Sequence, residues 1–253
     1  MTRILTRISR TALIAVVATV SMASCGEKSD TVNPAAFARG WKKYDGVNFT
    51  LYAPANSPRP RRGLDATVKA CDEIYDLVAR QLKVTTDHDI KVYMFTSSED
   101  CQAATGKPAS FVDGLTICTK LGAPVGGLVA EAVCNSIDPE AKSFPLIRDG
   151  VRNLFELRDV NVQLEAAARR EKGNWPTLED LLYKQSCDDP DIYQYASASF
   201  VAFLIARYGT DQFKMLWRSV LDLRPSIEKI YGGTIPEMEE EWFRIQDKLA
   251  KRT

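Results

Sequence analysis

Two kinds of hydrophobic pattern divide the chain. In residues 47–52 and 90–94, apolar and polar side chains alternate, which is typical of β-strands with one buried face. Between them, apolar residues recur at spacings of three and four over residues 62–82. Such spacing places the apolar residues on one face of a helix. The pattern therefore predicts a strand, a long amphipathic helix and a second strand.

Turn and capping signals follow the second predicted strand. Residues 97–100 (SSED) have the spacing of a capping box, which predicts a short helix ending near Gly106. Asp113 and Gly114 lie between two apolar runs, an arrangement that favours a two-residue hairpin. Residues 40–122 are therefore predicted to form a small unit containing both helix and sheet.

Helical spacing dominates the rest of the chain, residues 123–253. The predicted helices are residues 125–136, 144–157, 177–184, 193–206, 210–221 and 235–251. No linker-like composition separates the two parts. The sequence thus predicts one domain of the α+β class over residues 40–253, with a small sheet-plus-helix part first and a helical part after it.

The first 24 residues have the pattern of an export signal. Arg3, Arg7 and Arg10 precede an apolar stretch at residues 11–20. This stretch is about half as long as the ~20 apolar residues that cross a bilayer. We therefore expect a cleaved signal peptide over residues 1–24 and no permanent membrane span there.

A cysteine follows the export signal directly. Two small residues before Cys25 resemble the lipobox of bacterial lipoproteins. This resemblance implies that Cys25 carries a lipid, that residues 25–39 form the lipidated end and a tether, and that the protein is held in the cell envelope. Gly26 after the cysteine resembles the sorting pattern for the outer membrane, facing either the periplasm or the cell surface. Simple secretion with cleavage nearby is the alternative.

Charge and histidine content exclude several functions. The 33 basic and 33 acidic residues cancel, and removal of residues 1–24 takes away three arginines and no acid, leaving a net charge of −3. No basic surplus exists to neutralise phosphates, so nucleic acid is not an expected partner. The one histidine, His88, limits zinc sites and histidine-based catalysis. Nucleotide-binding and nucleophile-elbow motifs are absent.

Five cysteines remain after Cys25, and an exported chain can oxidise them. Cys101 lies in the short helix before the hairpin and Cys118 at the far end of the hairpin. The chain reversal between them can bring two Cα atoms within disulfide range, so we predict a bridge between Cys101 and Cys118. Cys71 lies on the apolar stripe of the long helix and is predicted to be a buried thiol.

The order of these elements, together with three segments, resembles the gluzincin-like peptidase MA group of zinc metallopeptidases. Residues 143–156 (SFPLIRDGVRNLFE) are similar to the segment that follows the zinc-binding helix of that group. Residues 195–209 resemble its long later helix with a Tyr-Gly end, and residues 230–232 resemble its closing segment. The resemblance covers about residues 49–248 and implies a zincin-like fold.

The resemblance also assigns a site, and the site is degenerate. The group's HExxH motif uses two histidines to hold Zn²⁺ and a glutamate to activate water. Here Ala130 and Cys134 occupy the positions of the two histidines, and Glu131 occupies the position of the catalytic base. Asp149 replaces the third ligand, a glutamate, and Tyr195 aligns with a tyrosine of the cleft. The resemblance therefore implies these five as vestigial site residues, with no catalytic metal and no cofactor.

The resulting hypothesis is a lipid-anchored pseudopeptidase that binds a peptide or an envelope protein. The alternative is an active hydrolase with an atypical metal set, or with Cys134 or the carboxylates of Glu131 and Asp149 as its reactive groups. In the family alignment Cys134 points into the cleft and Cys187 lies in a loop beside it. The resemblance thus implies a second disulfide, between Cys134 and Cys187, across the vestigial site.

Overall fold

All strands of the described chain lie in its first half and form one sheet. The computed structural model describes residues 33–85, 89–139, 141, 143–184, 187, 189–219 and 221–251, all within one compact unit. The strands are β1 (Lys42–Asp45), β2 (Phe49–Ala53), β3 (Ile90–Phe95), β4 (Phe111–Asp113) and β5 (Thr116–Lys120). The signal peptide, Cys25 and His88 lie outside the described residues.

The sheet is mixed, with strand order β1-β2-β3-β5-β4. The central strands β2, β3 and β5 run parallel, and each edge strand is antiparallel to its neighbour. In the register, Val92 of β3 lies between Leu51 of β2 and Ile117 of β5, and all three are fully buried. A parallel pair needs a crossover, and the helix between β2 and β3 supplies it.

Ten α-helices complete the described part of the chain. They are α1 (Arg61–Leu82), α2 (Ser98–Thr105), α3 (Gly126–Asn135), α4 (Pro145–Glu156), α5 (Val162–Glu171), α6 (Leu178–Lys184), α7 (Pro190–Tyr208), α8 (Thr210–Trp217), α9 (Leu223–Tyr231) and α10 (Ile235–Ala250). The prediction of an α+β fold, with a sheet-plus-helix part first and a helical part after it, is confirmed. No described helix is both long enough and apolar enough to cross a membrane.

One strand and two α-helices were not predicted, and each has a local reason. β1 is a mostly exposed edge strand without an alternating buried face. α5 has a polar composition, and α9 contains Pro225 in its first turn, where a missing N–H costs nothing. The hairpin is confirmed but shifted by one residue, because its two turn residues are Gly114, with φ +56°, and Leu115.

The two faces of the sheet are covered differently. Ile90, Val92 and Met94 of β3 belong to the large core that includes α1 and the later helices. The alternate residues Tyr93 and Phe95 point to the opposite face, where a smaller cluster also contains Cys101 and Cys118. We call these the helical face and the aromatic face.

The aromatic face is closed by the residues before β1. A 3₁₀ turn at Pro34–Ala36 leads into Phe37, whose ring centroid lies 5.4 Å from that of Tyr93 and 5.2 Å from that of Phe95. Trp41 also packs on Phe95, at 5.0 Å. Residues before the predicted boundary at residue 40 thus pack on the sheet, which partly buries the Phe37 side chain.

Candidate functional site

The helix that corresponds to the zinc-binding helix of the resemblance is α3, and every residue in it is buried. Its sequence is apolar except for Glu131 and the terminal Asn135. Ala130 and Cys134 are both fully buried, and the Glu131 side chain is 4% exposed. A carboxylate in such a position must find a partner, because desolvation of an unpaired charge is expensive.

Two glycines allow the helices around Glu131 to approach closely. A Cβ on Gly127 of α3 would lie 2.6 Å from the carbonyl oxygen of Arg152 in α4. A Cβ on Gly150 of α4 would lie 2.6 Å from the carbonyl oxygen of Ser197 in α7. Since real Cβ atoms do not tolerate such distances, the stacking of α3, α4 and α7 depends on glycine at both positions.

This packing brings a cation to Glu131. Arg152 Nε of α4 donates a hydrogen bond to Glu131 Oε2 and forms an ion pair with it. Burial raises the pKa of Glu131, while the charge and hydrogen bond of Arg152 oppose that rise. The guanidinium therefore holds the carboxylate that the resemblance assigns as the catalytic base.

Asp149 lies one turn before Arg152 and has its own partners. Tyr193 of α7 donates its hydroxyl hydrogen to Asp149 Oδ2, with an O–O distance of 3.1 Å. Arg148 Nε lies 3.4 Å from Asp149 Oδ1. Burial first, and then the charge of Asp149, raise the pKa of Tyr193, so this phenol stays protonated as a donor. We call Glu131, Asp149, Arg148, Arg152 and Tyr193 the charged cluster.

The thiol of Cys134 lies on the same helix as Glu131 and is not an activated nucleophile. Complete burial raises its pKa well above the ordinary range, and the negative charge of Glu131 raises it further. The thiolate, which is the reactive form, is therefore strongly disfavoured at neutral pH. The hypothesis that Cys134 is a nucleophile lacks the lowered pKa that it needs.

Tyr195, which the resemblance places at the cleft, packs against another helix. Its ring lies under the guanidinium of Arg169 of α5, with 3.5 Å from Cζ to the ring centroid. Arg169 also pairs with Glu165 and Asp191. The tyrosine that reaches the charged cluster is Tyr193, two residues earlier on α7.

Neither predicted disulfide is formed among the described cysteines. Cys134 is a buried thiol within α3, and Cys187 donates its S–H to the carbonyl oxygen of Asp189 at 3.0 Å. Cys101 and Cys118 are also thiols, although both are fully buried in the same cluster on the aromatic face. Cys101 and Cys118 therefore lie in the same cluster, as predicted, but no disulfide joins them.

The donors at these positions do not fit a catalytic zinc ion. Ala130 offers no ligand atom, Cys134 is held protonated by burial, and Glu131 is engaged by Arg152. Catalytic zinc sites usually have three protein ligands and a water molecule. Within the described residues, no group of three His, Cys, Asp or Glu side chains could hold a metal ion.

Sequence reasoning missed Arg148, Arg152 and Tyr193. One signal for the arginines was present, since Glu131 is a lone charge in an apolar helix and therefore requires a counter-charge from a neighbour. The segment after α3 contains arginines four residues apart, on one helix face. Nothing in the sequence distinguished Tyr193 from Tyr195. A scan against protein-family models finds no match, and a search of curated proteins also finds none.

Proposed function

We propose that this chain is an exported, lipid-anchored pseudopeptidase of gluzincin-like fold that binds an extended peptide segment of an envelope protein without cleaving it. The observation that carries the non-catalytic part is the ion pair between Arg152 and Glu131. A carboxylate that accepts a hydrogen bond from a fixed guanidinium is a poor general base, because the guanidinium occupies lone pairs that would otherwise take a proton from water. The lipid anchor rests on the export signal and on the lipobox-like residues before Cys25.

Support for peptide binding comes from the sheet edge beside α3. β4 has a strand neighbour on one side, and Asn135 of α3 donates to the carbonyl oxygen of Gly114 at 2.9 Å. In a two-residue hairpin the pair Asp113–Thr116 is hydrogen-bonded, so Val112 directs its N–H and C=O away from β5. A strand edge with no strand neighbour among the described residues can pair with an extended peptide through backbone hydrogen bonds.

The first experiment tests for catalysis and metal. Zinc content, peptide hydrolysis and thermal unfolding of the purified mature protein are measured with and without a chelator. We expect substoichiometric zinc, no chelator-sensitive hydrolysis and an unchanged unfolding temperature, because no metal contributes to folding. Stoichiometric, tightly held zinc would instead favour the active hydrolase.

A second experiment tests the gluzincin-like assignment. The combined changes Ala130→His, Cys134→His and Asp149→Glu restore the zinc ligands, and Arg152→Ala removes the competing guanidinium. We expect this folded quadruple variant to bind zinc, and the triple variant that keeps Arg152 to bind it more weakly. If the quadruple variant folds and binds no zinc, α3 and α4 do not have the geometry that the assignment requires.

A third experiment tests the strand edge. A phage-displayed library of peptides is selected on the mature protein, and the enriched peptides are measured against Val112→Pro and Val112→Ala. Proline removes the outward N–H, which we expect to weaken binding by about tenfold, while alanine preserves it. Equal binding by both folded variants would exclude this edge as the binding surface.

A further inference from the structure

A group of basic side chains surrounds the end of the sheet where the described chain begins. Lys42, Lys43, Arg59 and Arg61 line a cavity of about 610 Å³ between the start of β1 and the start of α1. The carboxylates in this lining are Asp45 and Asp65. Arg62 directly follows Arg61, and Arg39 lies three residues before Lys42; both arginines are exposed. We call Arg39, Lys42, Lys43, Arg59, Arg61 and Arg62 the basic face.

The two carboxylates do not neutralise this surface. Asp45 pairs with Lys43 at 2.8 Å, and Asp65 lies 3.8 Å from Arg61 in an exposed i,i+4 pair. Asp89 also acts on Lys43 through its charge, so three acids face the six cations of the basic face. The surplus is local, since the mature chain as a whole carries a net charge of −3.

Local helix stability does not explain the arginines. Arg61 and Arg62 occupy the first turn of α1, which contains no acidic residue, and its N-cap, Pro60, makes no side-chain cap. Cations at this end oppose the helix dipole, whose positive end already lies there. An anionic surface outside the protein would relieve this unfavourable arrangement.

The short length of chain between Cys25 and the basic face favours a membrane as that surface. Seven residues, 26–32, separate Cys25 from Asn33, the first described residue. At about 3.5 Å per residue they span at most about 25 Å. From Asn33 the chain runs through the packed 3₁₀ turn directly into β1, where the basic face begins.

We propose that the basic face docks on the anionic phospholipid headgroups of the membrane that holds Cys25. This inference rests on the lipid anchor of the proposed function and adds an orientation to it. The anchor supplies proximity, and each basic side chain close to an anionic surface favours the docked state by about fivefold. In the docked state β1 would lie at the membrane. β4, at the opposite edge of the sheet, would lie away from the contact that β1 makes.

Lysine labelling tests the orientation. The mature lipidated protein is incorporated into vesicles of phosphatidylcholine, with or without phosphatidylglycerol, and labelled with a water-soluble amine reagent before peptide mapping. In phosphatidylglycerol vesicles we expect labelling of Lys42 and Lys43 to fall by about fivefold or more, and high salt to restore it. Lys229 and Lys248, exposed on α9 and α10, serve as internal controls and should not change.

Variants provide a second comparison. Lys42→Glu with Arg61→Glu should abolish the protection of Lys43, whereas the matched pair Lys229→Glu with Lys248→Glu should leave it intact. Mapping of the N-terminal peptide shows whether Cys25 carries a lipid. A lipidated protein with equal Lys42 and Lys43 labelling in both vesicles overturns the docking proposal alone, and an unmodified Cys25 overturns the anchor and the docking together.

Discussion

The helical face and the aromatic face of the sheet are both well packed, but they are closed by different means. The helical face is covered by helices distant in sequence, and it contains the buried ion pair of Glu131 and Arg152. The aromatic face is covered by α2 and by the residues just before β1, with no charged residue among its core members. The comparison shows that long-range helix packing can accommodate a buried charge here, because the packing also positions its partner.

The largest effect is expected on the helical face, when the buried pair is broken. Arg152→Ala removes the hydrogen-bonded counter-charge and leaves buried Glu131 with only the charge of Arg148, which should lower the free energy of unfolding by about 3 to 5 kcal/mol at neutral pH. Arg148→Ala is the matched control, since its partner Asp149 is partly exposed, and should cost about 1 kcal/mol or less. Urea denaturation measures both. Equal costs would mean that burial does not distinguish the two pairs.

The pH dependence of stability sharpens this result. Because the pKa of Glu131 is raised in the folded state, the native carboxyl binds a proton more readily than the unfolded one does. Relative to Glu131→Gln, the wild-type protein should therefore lose stability as the pH rises from the ordinary glutamate pKa through the raised native value. In Arg152→Ala this loss should extend to higher pH. A gain in stability over the same range would show that Arg152 outweighs burial.

A somewhat smaller effect is expected from a single methyl group between α4 and α7. In Gly150→Ala the new Cβ would meet Val201 Cγ2 at 2.5 Å and the Ser197 carbonyl oxygen at 2.6 Å. Such overpacking should cost about 2 to 3 kcal/mol. Gly233→Ala, whose new Cβ would lie no closer than 3.8 Å to its neighbours, is the control and should be nearly neutral. The midpoints of thermal unfolding are compared. Equal midpoints for the two variants would contradict the close approach of α4 and α7.

The aromatic face should respond less to truncation. Phe37 is half-buried and contacts Trp41, Tyr93 and Phe95, so Phe37→Ala should cost about 2 kcal/mol through lost apolar burial and ring contacts. Val47→Ala, at a position 88% exposed, should cost about 0.5 kcal/mol or less. If Phe37→Ala left the free energy of unfolding unchanged in denaturant titrations, the residues before β1 would behave as part of the predicted tether.

The smallest effect concerns the thiols and leaves stability unchanged. Burial raises the pKa values of Cys71 and Cys118 to about 12, so neither should react with a thiol reagent in the native protein at neutral pH. Half-exposed Cys187 should react first. Peptide mapping after alkylation identifies the modified residues. Recovery of Cys101 joined to Cys118 would support the predicted bridge on the aromatic face, and recovery of Cys134 joined to Cys187 would contradict the buried thiol on the helical face.

The sequence by itself determined the elements whose signals are local. The spacing of apolar residues predicted α1 and β3, the capping box predicted α2, and the Asp-Gly pair predicted the hairpin, because each signal acts over a few residues. β1, which has no alternating buried face, and α9, which contains Pro225, escaped prediction. The site was only partly predictable: Glu131 and Asp149 were chosen from a resemblance, and both lie in the charged cluster.

Tertiary structure alone decided which partners those carboxylates have. Arg152 reaches Glu131 because Gly127 lets α3 and α4 approach, and a clearance of this kind depends on atoms far apart in sequence. The choice of Tyr193 over Tyr195 follows from the rotation of α7 against α4, which no local pattern encodes. Periodicity fixes which side of an element is apolar, whereas the pairing of charges requires the distances between elements, and these exist only in the folded chain.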